Sequence, residues 1–323
     1  MTWYYTLLAF VLFSFELLYF RAARRLGIID KPNVRSSHAD PVIRGGGIIF
    51  FVSTFWWFVS QNFQWPHFVL GLTMVAIISF LDDVKPRPAL WRFAIQLCSV
   101  LLLFYQVPLF DWPVWLVLLA LIICIGALNA FNFMDGINGI TGVYALVNLG
   151  TFAYVCRYVV EFTDERLIYS SIIAVFVFLF FNFRKKAVCF AGDIGSVTIA
   201  FILILLLIQL IHRTNNFLWV ILFLVYGIDS TVTILHRIKN RENIFNPHRT
   251  HLYQYMSNEF KWSHTTVSLL YGLIQLILNA ILIYSITRSG DLTQIPIIAA
   301  IGFVACYLFV RSFLIRKIIK SMQ

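Results

Sequence analysis

Charged side chains are unusually scarce in this chain. Only 12% of its 323 residues are Asp, Glu, Lys or Arg, whereas 60% are hydrophobic. A soluble globular domain typically has about a quarter of its residues charged. The composition therefore excludes a water-soluble globule with one modest core and indicates a polytopic membrane protein.

Paired cysteine spacings are also missing. The five cysteines, which lie mostly inside apolar runs, are Cys98, Cys124, Cys156, Cys189 and Cys306. Their spacing excludes a disulfide scaffold or a zinc framework and is typical of small core residues. No basic segment precedes the first apolar run, so we expect an uncleaved first span and not a signal peptide.

Long apolar segments recur along the whole chain, whereas the alternating pattern of a membrane β-barrel is absent. Segments of this length can cross the roughly 30 Å hydrocarbon layer as helices. We therefore predict an all-α polytopic membrane protein with about eleven transmembrane helices. The predicted spans are about 3–20, 45–61, 66–81, 92–107, 113–131, 139–158, 167–183, 194–211, 216–234, 265–286 and 294–311.

The net charge of +10 could indicate a nucleic-acid partner, but the positions of the basic residues give another explanation. If the spans alternate from an external N-terminus, the internal segments hold 21 of the 25 Lys and Arg residues. This is the positive-inside bias of a membrane protein whose N-terminus is outside and whose C-terminus is cytoplasmic. We therefore expect the protein to contact membrane lipids and to bind no nucleic acid.

The predicted internal segments carry nearly all of the polar motifs. No repeat, linker or compositional boundary divides the chain, so we expect a single integral-membrane domain over 1–323. Its active site should lie on the cytoplasmic loops 21–47, 82–92, 129–142, 184–196 and 235–263.

The segment 129–142 interrupts two apolar runs with polar residues spaced three apart. These are Asn129, Asn132, Asp135 and Asn138, accompanied by Gly136, Gly139 and Gly142. The spacing predicts polar side chains along one side of a helical turn, where glycines allow a ligand to come close. Asp135 alone could be a helix cap, and Asn132 an interhelical hydrogen-bonding residue. Their coincidence favours a functional site.

Two adjacent carboxylates, Asp82 and Asp83, open the second internal loop. They repel each other, so a metal ion, a lysine or a shared proton must offset them. In the structural alternative they cap the end of the span and pair with Lys85 and Arg87. Acidic residues are scarce in this chain, and two together would face anionic headgroups, which favours a functional role.

Two glycine-rich segments add to this pattern. Asp193 lies between Gly192 and Gly195 at the predicted start of a span, where its carboxylate offers the hard oxygen ligand that Mg²⁺ takes. In the first loop, Arg44 precedes three glycines, an arrangement that suits an anion bound by backbone amides. The alternative for Arg44 is an ordinary positive-inside loop.

The fifth internal loop is the longest, and His248, Arg249 and His251 follow its Pro247. Clustered His and Arg side chains opposite carboxylates suit a diphosphate, with Arg as a bidentate donor. Two histidines could instead form a zinc site, but neither a cysteine nor a His-Glu-x-x-His pattern accompanies them. Asp229, inside the ninth span, has no role in these patterns.

The ordered motifs resemble those of the polyprenyl-phosphate N-acetylhexosamine-1-phosphate transferase superfamily. They are Asp30-Lys31-Pro32-Asn33 with Arg44-Gly45-Gly46-Gly47, Asp82-Asp83, residues 129–139, Gly192-Asp193-Ile194-Gly195-Ser196 and Arg249-Thr250-His251. Each motif alone is weak, but together and in this order they cover nearly the whole chain. The sequence is more similar to the enzymes that start O-antigen or related surface polysaccharides, the WecA and WbpL type, than to MraY of peptidoglycan synthesis.

This resemblance implies an enzyme of the bacterial inner membrane that transfers N-acetylhexosamine-1-phosphate from a UDP-N-acetylhexosamine to undecaprenyl phosphate and releases UMP. It implies Mg²⁺, or Mn²⁺ in its place, bound by Asp193 and Asn132. Asp82 would position or deprotonate the lipid phosphate, with Asp83 beside it. The remaining substrate-binding residues would be Lys31, Arg44, Lys85, Asp135, Asn138, His248, Arg249 and His251. A homodimer is a further expectation.

The chain departs from the family pattern in three places. Many members carry Asp where Asn138 stands, relatives often continue a run of histidines at 252–254, and Lys85 is one position earlier than the lysine common in the MraY branch. Two other classes fit less well. A transporter or lipid flippase should place its polar groups at mid-membrane. A CDP-alcohol phosphotransferase should show an Asp-Gly-x-x-Ala-Arg signature, which does not follow Asp135.

Overall fold

The computed structural model describes residues 2–30, 40–243, 249–288 and 292–322, and these are mainly helical. The helices are α1 (Thr2–Leu26), α2 (Ile48–Ser60), α3 (Pro66–Val84), α4 (Ala89–Gln106), α5 (Val114–Met134), α6 (Ile140–Tyr158), α7 (Glu165–Asn182), α8 (Gly192–Thr214), α9 (Leu224–Lys239), α10 (Leu252–Gln254), α11 (His264–Thr287) and α12 (Gln294–Met322). Shorter elements are strands β1 (Ile29–Asp30) and β2 (Val42–Ile43), 3₁₀ turns at Leu109–Asp111 and Phe217–Phe223, and a π-helical turn at Tyr255–Glu259.

The long helices lie where the spans are predicted, although α1, α9 and α12 continue five or more residues beyond their predicted ends. Among the described residues, nine helical segments are long and apolar enough to cross a membrane. Helices α2 and α6 are not among them, and α2 has only 13 residues. A helix of that length rises about 20 Å, less than the hydrocarbon layer. The all-α polytopic class is confirmed, while the number of spans and their orientation stay predictions.

Helix α8 forms the centre of the bundle. Its apolar segment is buried along its whole length, and it packs against α2, α3, α5 and α6. Against α3, the ring of Phe201 stacks on that of Phe68 with the centroids 5.7 Å apart. A helix that is apolar around its entire circumference is expected in such an enclosed position. The N-terminus of α8 is therefore surrounded by the ends of neighbouring elements.

The first loop is tied to the segment before α8 by backbone hydrogen bonds. The N–H of Phe190 donates to the carbonyl of Ile43 at 2.8 Å, and the N–H of Gly46 donates to the carbonyl of Phe190 at 2.8 Å. Strand β2, which contains Ile43, also pairs antiparallel with β1. Backbone pairing of this kind fixes the register of both segments. It holds Arg44 beside the N-terminus of α8.

Candidate active site

Asp83, at the end of α3, caps the N-terminus of α8. The residue is 7% exposed, and its carboxylate accepts hydrogen bonds from the N–H groups of Asp193 at 2.9 Å and Ile194 at 3.0 Å. Oδ1 also lies 3.0 Å from Nε of Arg44. The first N–H groups of a helix have no partner within the helix, and its N-terminus attracts negative charge. These contacts are those of a helix cap and an ion pair, so the catalytic role of Asp83 stays a prediction.

Asp82 points to a second set of partners. Its Oδ1 accepts a hydrogen bond from the N–H of Arg87 at 2.5 Å, and its Oδ2 lies 3.2 Å from Nη1 of Arg92. The same Nη1 lies 3.7 Å from Oδ2 of Asp193. Arg92 thus links two carboxylates for which the sequence predicts different roles, Asp82 at the lipid phosphate and Asp193 at the metal ion. It was missed because in the sequence it is only one more internal basic residue.

A cavity of about 190 Å³ opens beside this cluster. It is lined by Asp30, Arg44, Asn132, Asp135, Gly136, Ile137, Asn138, Asn182, Phe190, Gly192, Asp193, Gln254 and His264. A second space of about 400 Å³, here called the outer chamber, shares Asn138, Phe190 and His264 with it and continues to Lys185 and Trp262. Asp193, Asn132, Asp135, Asn138 and Arg44 therefore line one polar cavity, and their roles stay predictions.

Three lining residues escaped the sequence analysis, and the fold explains their positions. Asn182, at the end of α7, accepts a hydrogen bond from the N–H of Gly139 at 2.6 Å and donates one to the carbonyl of Cys189 at 2.8 Å. Gln254 and His264 come from the last loop and the start of α11. Isolated amides and a single histidine at helix ends give no motif, so only the tertiary structure reveals them.

The prediction of one polar face along 129–142 is wrong. Helix α5 ends at Met134, so Asp135 and Asn138 lie in the turn that follows it. Asn129 faces α4 instead, where its Nδ2 donates to Oε1 of Gln96 at 3.0 Å. The spacing of three describes one helix face only as long as the helix continues. Asn132 is the member of the series that reaches the cavity from the helix itself.

Asp135 is held at the cavity wall. Thr141 donates a hydrogen bond to its Oδ1 at 2.7 Å. Burial raises the pKa of Asp135 to about 7, although the Thr141 hydrogen bond lowers it, and the neighbouring Asp193 carboxylate adds to the increase. A carboxyl group in such surroundings binds its proton more tightly because the charged form is poorly solvated.

The donor set around Asp193 suits a hard divalent cation. Among the described residues no group of three or more His, Cys, Asp or Glu side chains forms a metal-binding cluster. Mg²⁺ does not need one, since it usually takes one or two carboxylates and keeps several waters. Asn132 Nδ2 donates to Oγ of Ser196 at 3.3 Å, which leaves its Oδ1 for a ligand. Asp193 and Asn132 are therefore suitable ligands, and the metal itself stays a prediction.

The last loop does not bring its predicted residues to the cavity. The His251 side chain is buried, with Nδ1 lying 3.1 Å from Oδ1 of Asp229, and it is absent from the lining. Arg249 and Lys85 are exposed and are not lining residues either. His248 and Lys31 lie outside the described residues. The described geometry therefore does not support a direct contact between His251 and a diphosphate, because Asp229 holds the imidazole away from the cavity.

Similarity to known proteins agrees with this arrangement. Residues 65–211 match Glycosyl transferase family 4. The match covers a little under half of the chain. A probable undecaprenyl-phosphate N-acetylglucosaminyl 1-phosphate transferase of Bacillus subtilis (strain 168) is 26% identical over 294 residues, covering 83% of this chain and 80% of that protein. An undecaprenyl-phosphate alpha-N-acetylglucosaminyl 1-phosphate transferase of Yersinia pestis is 33% identical over 78 residues, covering 24% of this chain and 21% of that protein.

The matched region of glycosyl transferase family 4 contains the centre of the cavity. It begins just before α3 and ends within α8, so it includes Asp82, Asp83, Asn132, Asp135 and Asp193. The resemblance to polyprenyl-phosphate N-acetylhexosamine-1-phosphate transferases is confirmed at the level of the family. The residues that the last loop contributes lie outside the matched region.

The two adjacent carboxylates should respond differently to substitution. Asp83→Asn removes the charge that caps α8 and pairs with Arg44, so we expect a loss of about 2 kcal/mol in the free energy of unfolding. Asp82→Asn should cost much less, because Asp82 lies at the edge of the bundle. Thermal unfolding of both variants in detergent, followed by tryptophan fluorescence, measures the difference. Equal destabilisation of the two variants would contradict the capping role.

The raised pKa of Asp135 predicts a pH-dependent stability. Between about pH 4 and pH 7 this carboxyl group is ionised in the unfolded chain but stays protonated in the folded protein. The free energy of unfolding therefore falls as the pH rises toward and through the folded-state pKa. Asp135→Asn lacks this loss. In EDTA, the difference in thermal midpoint, variant minus wild type, should therefore be at least ~3 °C larger at pH 8 than at pH 5.

The exposed Asp111 provides the control for this comparison. Asp111→Asn should change the thermal midpoint by the same small amount at both pH values. A pH-independent difference for Asp135→Asn would show that the carboxyl group is ionised in the folded protein across this range.

Proposed function

We propose that this chain transfers N-acetylhexosamine-1-phosphate from a UDP-sugar to undecaprenyl phosphate, giving undecaprenyl-diphosphate-sugar and UMP. The match to glycosyl transferase family 4 and the activities named for the two relatives support this reaction. The observation that carries it is the meeting of Asp82, Arg92 and Asp193 beside a polar cavity at the ends of membrane helices. One substrate can then stay in the lipid while the other enters from water.

Asp82 and Arg92 are the groups that receive the lipid phosphate. The guanidinium of Arg92 offers a charged donor to a phosphate oxygen, and its Nε is buried with no hydrogen-bond partner among the described residues. A phosphate monoester is largely dianionic at neutral pH, since its second pKa is about 6. Asp82 therefore contributes mainly by positioning the nucleophile and Arg92, and less by removing a proton.

The in-line geometry of phosphoryl transfer assigns the other side of the cavity to the nucleotide. The attacking and leaving oxygens lie roughly in line across the phosphorus. If the lipid phosphate approaches from Asp82, UMP leaves toward Asn138 and the outer chamber. Oδ1 of Asn138 is buried and has no hydrogen-bond partner within the described part of the chain. It is an acceptor that fits an N–H of a nucleobase.

Asp193 and Asn132 would hold Mg²⁺, or Mn²⁺ in its place, between these two sides. The ion would offset the charge of the carboxylates and of the diphosphate together. Arg44, which the Asp83 carboxylate orients, is the cationic side chain of the lining and lies where it can pair with a diphosphate oxygen. Asp135 completes the wall between these groups and the nucleotide side.

The finer aspects of the proposal concern the setting of the reaction. We place the enzyme in the bacterial inner membrane with the cavity on the cytoplasmic face, where sugar nucleotides are made. Its product would initiate an O-antigen or another surface polysaccharide. The positive-inside distribution of Lys and Arg supports this orientation. A homodimer stays a prediction.

Release of UMP tests the reaction directly. Purified protein with Mg²⁺, undecaprenyl phosphate and a panel of UDP-N-acetylhexosamines should release UMP with at least one sugar. Asp193→Asn should reduce the rate at least ~100-fold, because it removes a charged ligand from the transition state. Asp164→Asn serves as the matched control, since Asp164 caps α7 and bonds to Trp57 near the other end of the bundle.

Two results would overturn the proposed function. The first is a folded wild-type protein that releases no UMP with any sugar of the panel. The second is an Asp193→Asn variant as active as Asp164→Asn.

A further inference from the structure

One of the amide side chains around the cavity donates no hydrogen bond within the described part of the chain. The four lining residues with carboxamides are Asn132, Asn138, Asn182 and Gln254. Nδ2 of Asn132 donates to Oγ of Ser196 at 3.3 Å. Nδ2 of Asn138 donates to the carbonyl of Arg184 at 2.8 Å, and Nδ2 of Asn182 donates to the carbonyl of Cys189 at 2.8 Å. Nε2 of Gln254 makes no hydrogen bond with any described residue.

Gln254 is fixed in place through its oxygen. Oε1 accepts a hydrogen bond from the N–H of His251 at 3.3 Å, which is the side-chain-to-backbone contact of a capping box at the start of α10. Its residue exposure is 9%, so the side chain is nearly enclosed and its rotamer is restricted. With the oxygen held by the backbone, the amide nitrogen is the group left to the cavity.

A buried carboxylate holds the segment that carries Gln254. Asp229 in α9 is fully buried, and its oxygens lie 3.1 Å from Nδ1 of His251 and 3.1 Å from the N–H of Leu252. The hydroxyl groups of Tyr271 in α11 and Tyr307 in α12 donate to it at 2.6 Å and 3.0 Å. A buried charge with this many donors anchors the groups around it. It therefore sets the position of the backbone N–H that orients Gln254.

A purely structural role does not account for the amide nitrogen. A capping box is equally well completed by Glu, since only the side-chain oxygen takes part in it. Gln254 lines the cavity, and its Nε2 makes no hydrogen bond with the described residues, so both of its N–H groups are open to an acceptor on a ligand. The cavity already contains the carboxylates of Asp135 and Asp193, so what a highly anionic ligand still needs there is donors.

We propose that Gln254 is a substrate-binding residue that donates a hydrogen bond from Nε2 to the diphosphate of the sugar nucleotide, and that Asp229 is the positioning residue that holds it there. This inference rests on the proposed function. The last loop then contacts the substrate through Gln254. His251 does not contact the substrate, but its backbone N–H orients Gln254.

Gln254→Glu separates the two roles of the side chain. The carboxylate keeps the oxygen acceptor for the N–H of His251, removes the donor and adds a negative charge. We expect the affinity for UDP, measured by calorimetric titration in detergent with Mg²⁺, to fall at least ~10-fold, the usual size for a lost hydrogen bond to a charged group. The affinity for uridine, which has no phosphate, and the thermal midpoint should remain unchanged.

The outcomes of this titration are distinct. Unchanged UDP affinity in Gln254→Glu, with a wild type that binds UDP, overturns this inference and leaves the proposed function standing. An equal loss for UDP and uridine overturns it as well, because the substitution would then act on the shape of the cavity. A wild type that binds no UDP overturns the proposed function and this inference together.

The positioning role of Asp229 is tested by a double-mutant cycle. Asp229→Asn should weaken UDP binding and spare uridine, and in combination with Gln254→Glu it should cause little further loss, because both changes remove the same contact. Tyr307→Phe is the matched control, since it removes one donor to Asp229 on the α12 side. It should lower the thermal midpoint without changing UDP affinity. Additive losses in the double variant, or a loss of UDP affinity in Tyr307→Phe, would contradict the positioning role.

Discussion

The capping of α8 by the carboxylate of Asp83 is the contact on which the site depends. It joins the end of α3 to the start of the central helix, and through Arg44 it also fixes the first loop. A carboxylate at a helix N-terminus is stabilised both by direct hydrogen bonds and by the helix dipole. Because Asp82 and Asp193 are the immediate neighbours of these contacting groups, this contact decides how close the two carboxylates come.

The cavity has two chemically different sides. Toward α3 and α4 the described groups are charged, and Asp82 and Asp193 both lie within ion-pair distance of Arg92. Toward α6, α7 and the last loop the lining consists of amides, a histidine and an aromatic ring. Charged groups suit phosphates and a cation, whereas neutral amides offer directional donors and acceptors to a nucleoside and to the diphosphate next to it. The division matches a substrate that is itself charged in one part and neutral in another.

The sequence reveals those features that are local or compositional. The helices follow from hydropathy, and Asp193, Asn132 and Arg44 follow from short motifs at the ends of predicted spans. Arg92 and Asn182 could not be found in this way, because they contact Asp193 and Gly139, which are distant in the chain. Gln254 makes only a local hydrogen bond, and its place at the cavity depends on how the last loop folds. Asn129 was misplaced because periodicity does not say which neighbouring helix a face meets. His251 and Asp229, separated by 22 residues, show their relation only when the last loop folds back on α9.

The enclosure of α8 also separates the reaction centre from the lipid. Outer helices such as α12, whose spanning segment is only 11% buried, face the acyl chains directly. Changes in bilayer thickness or lateral pressure act first on such peripheral helices and reach α8 only through their packing against the inner ring. The carboxylates at the start of α8 are therefore held by surrounding protein and not by contact with acyl chains.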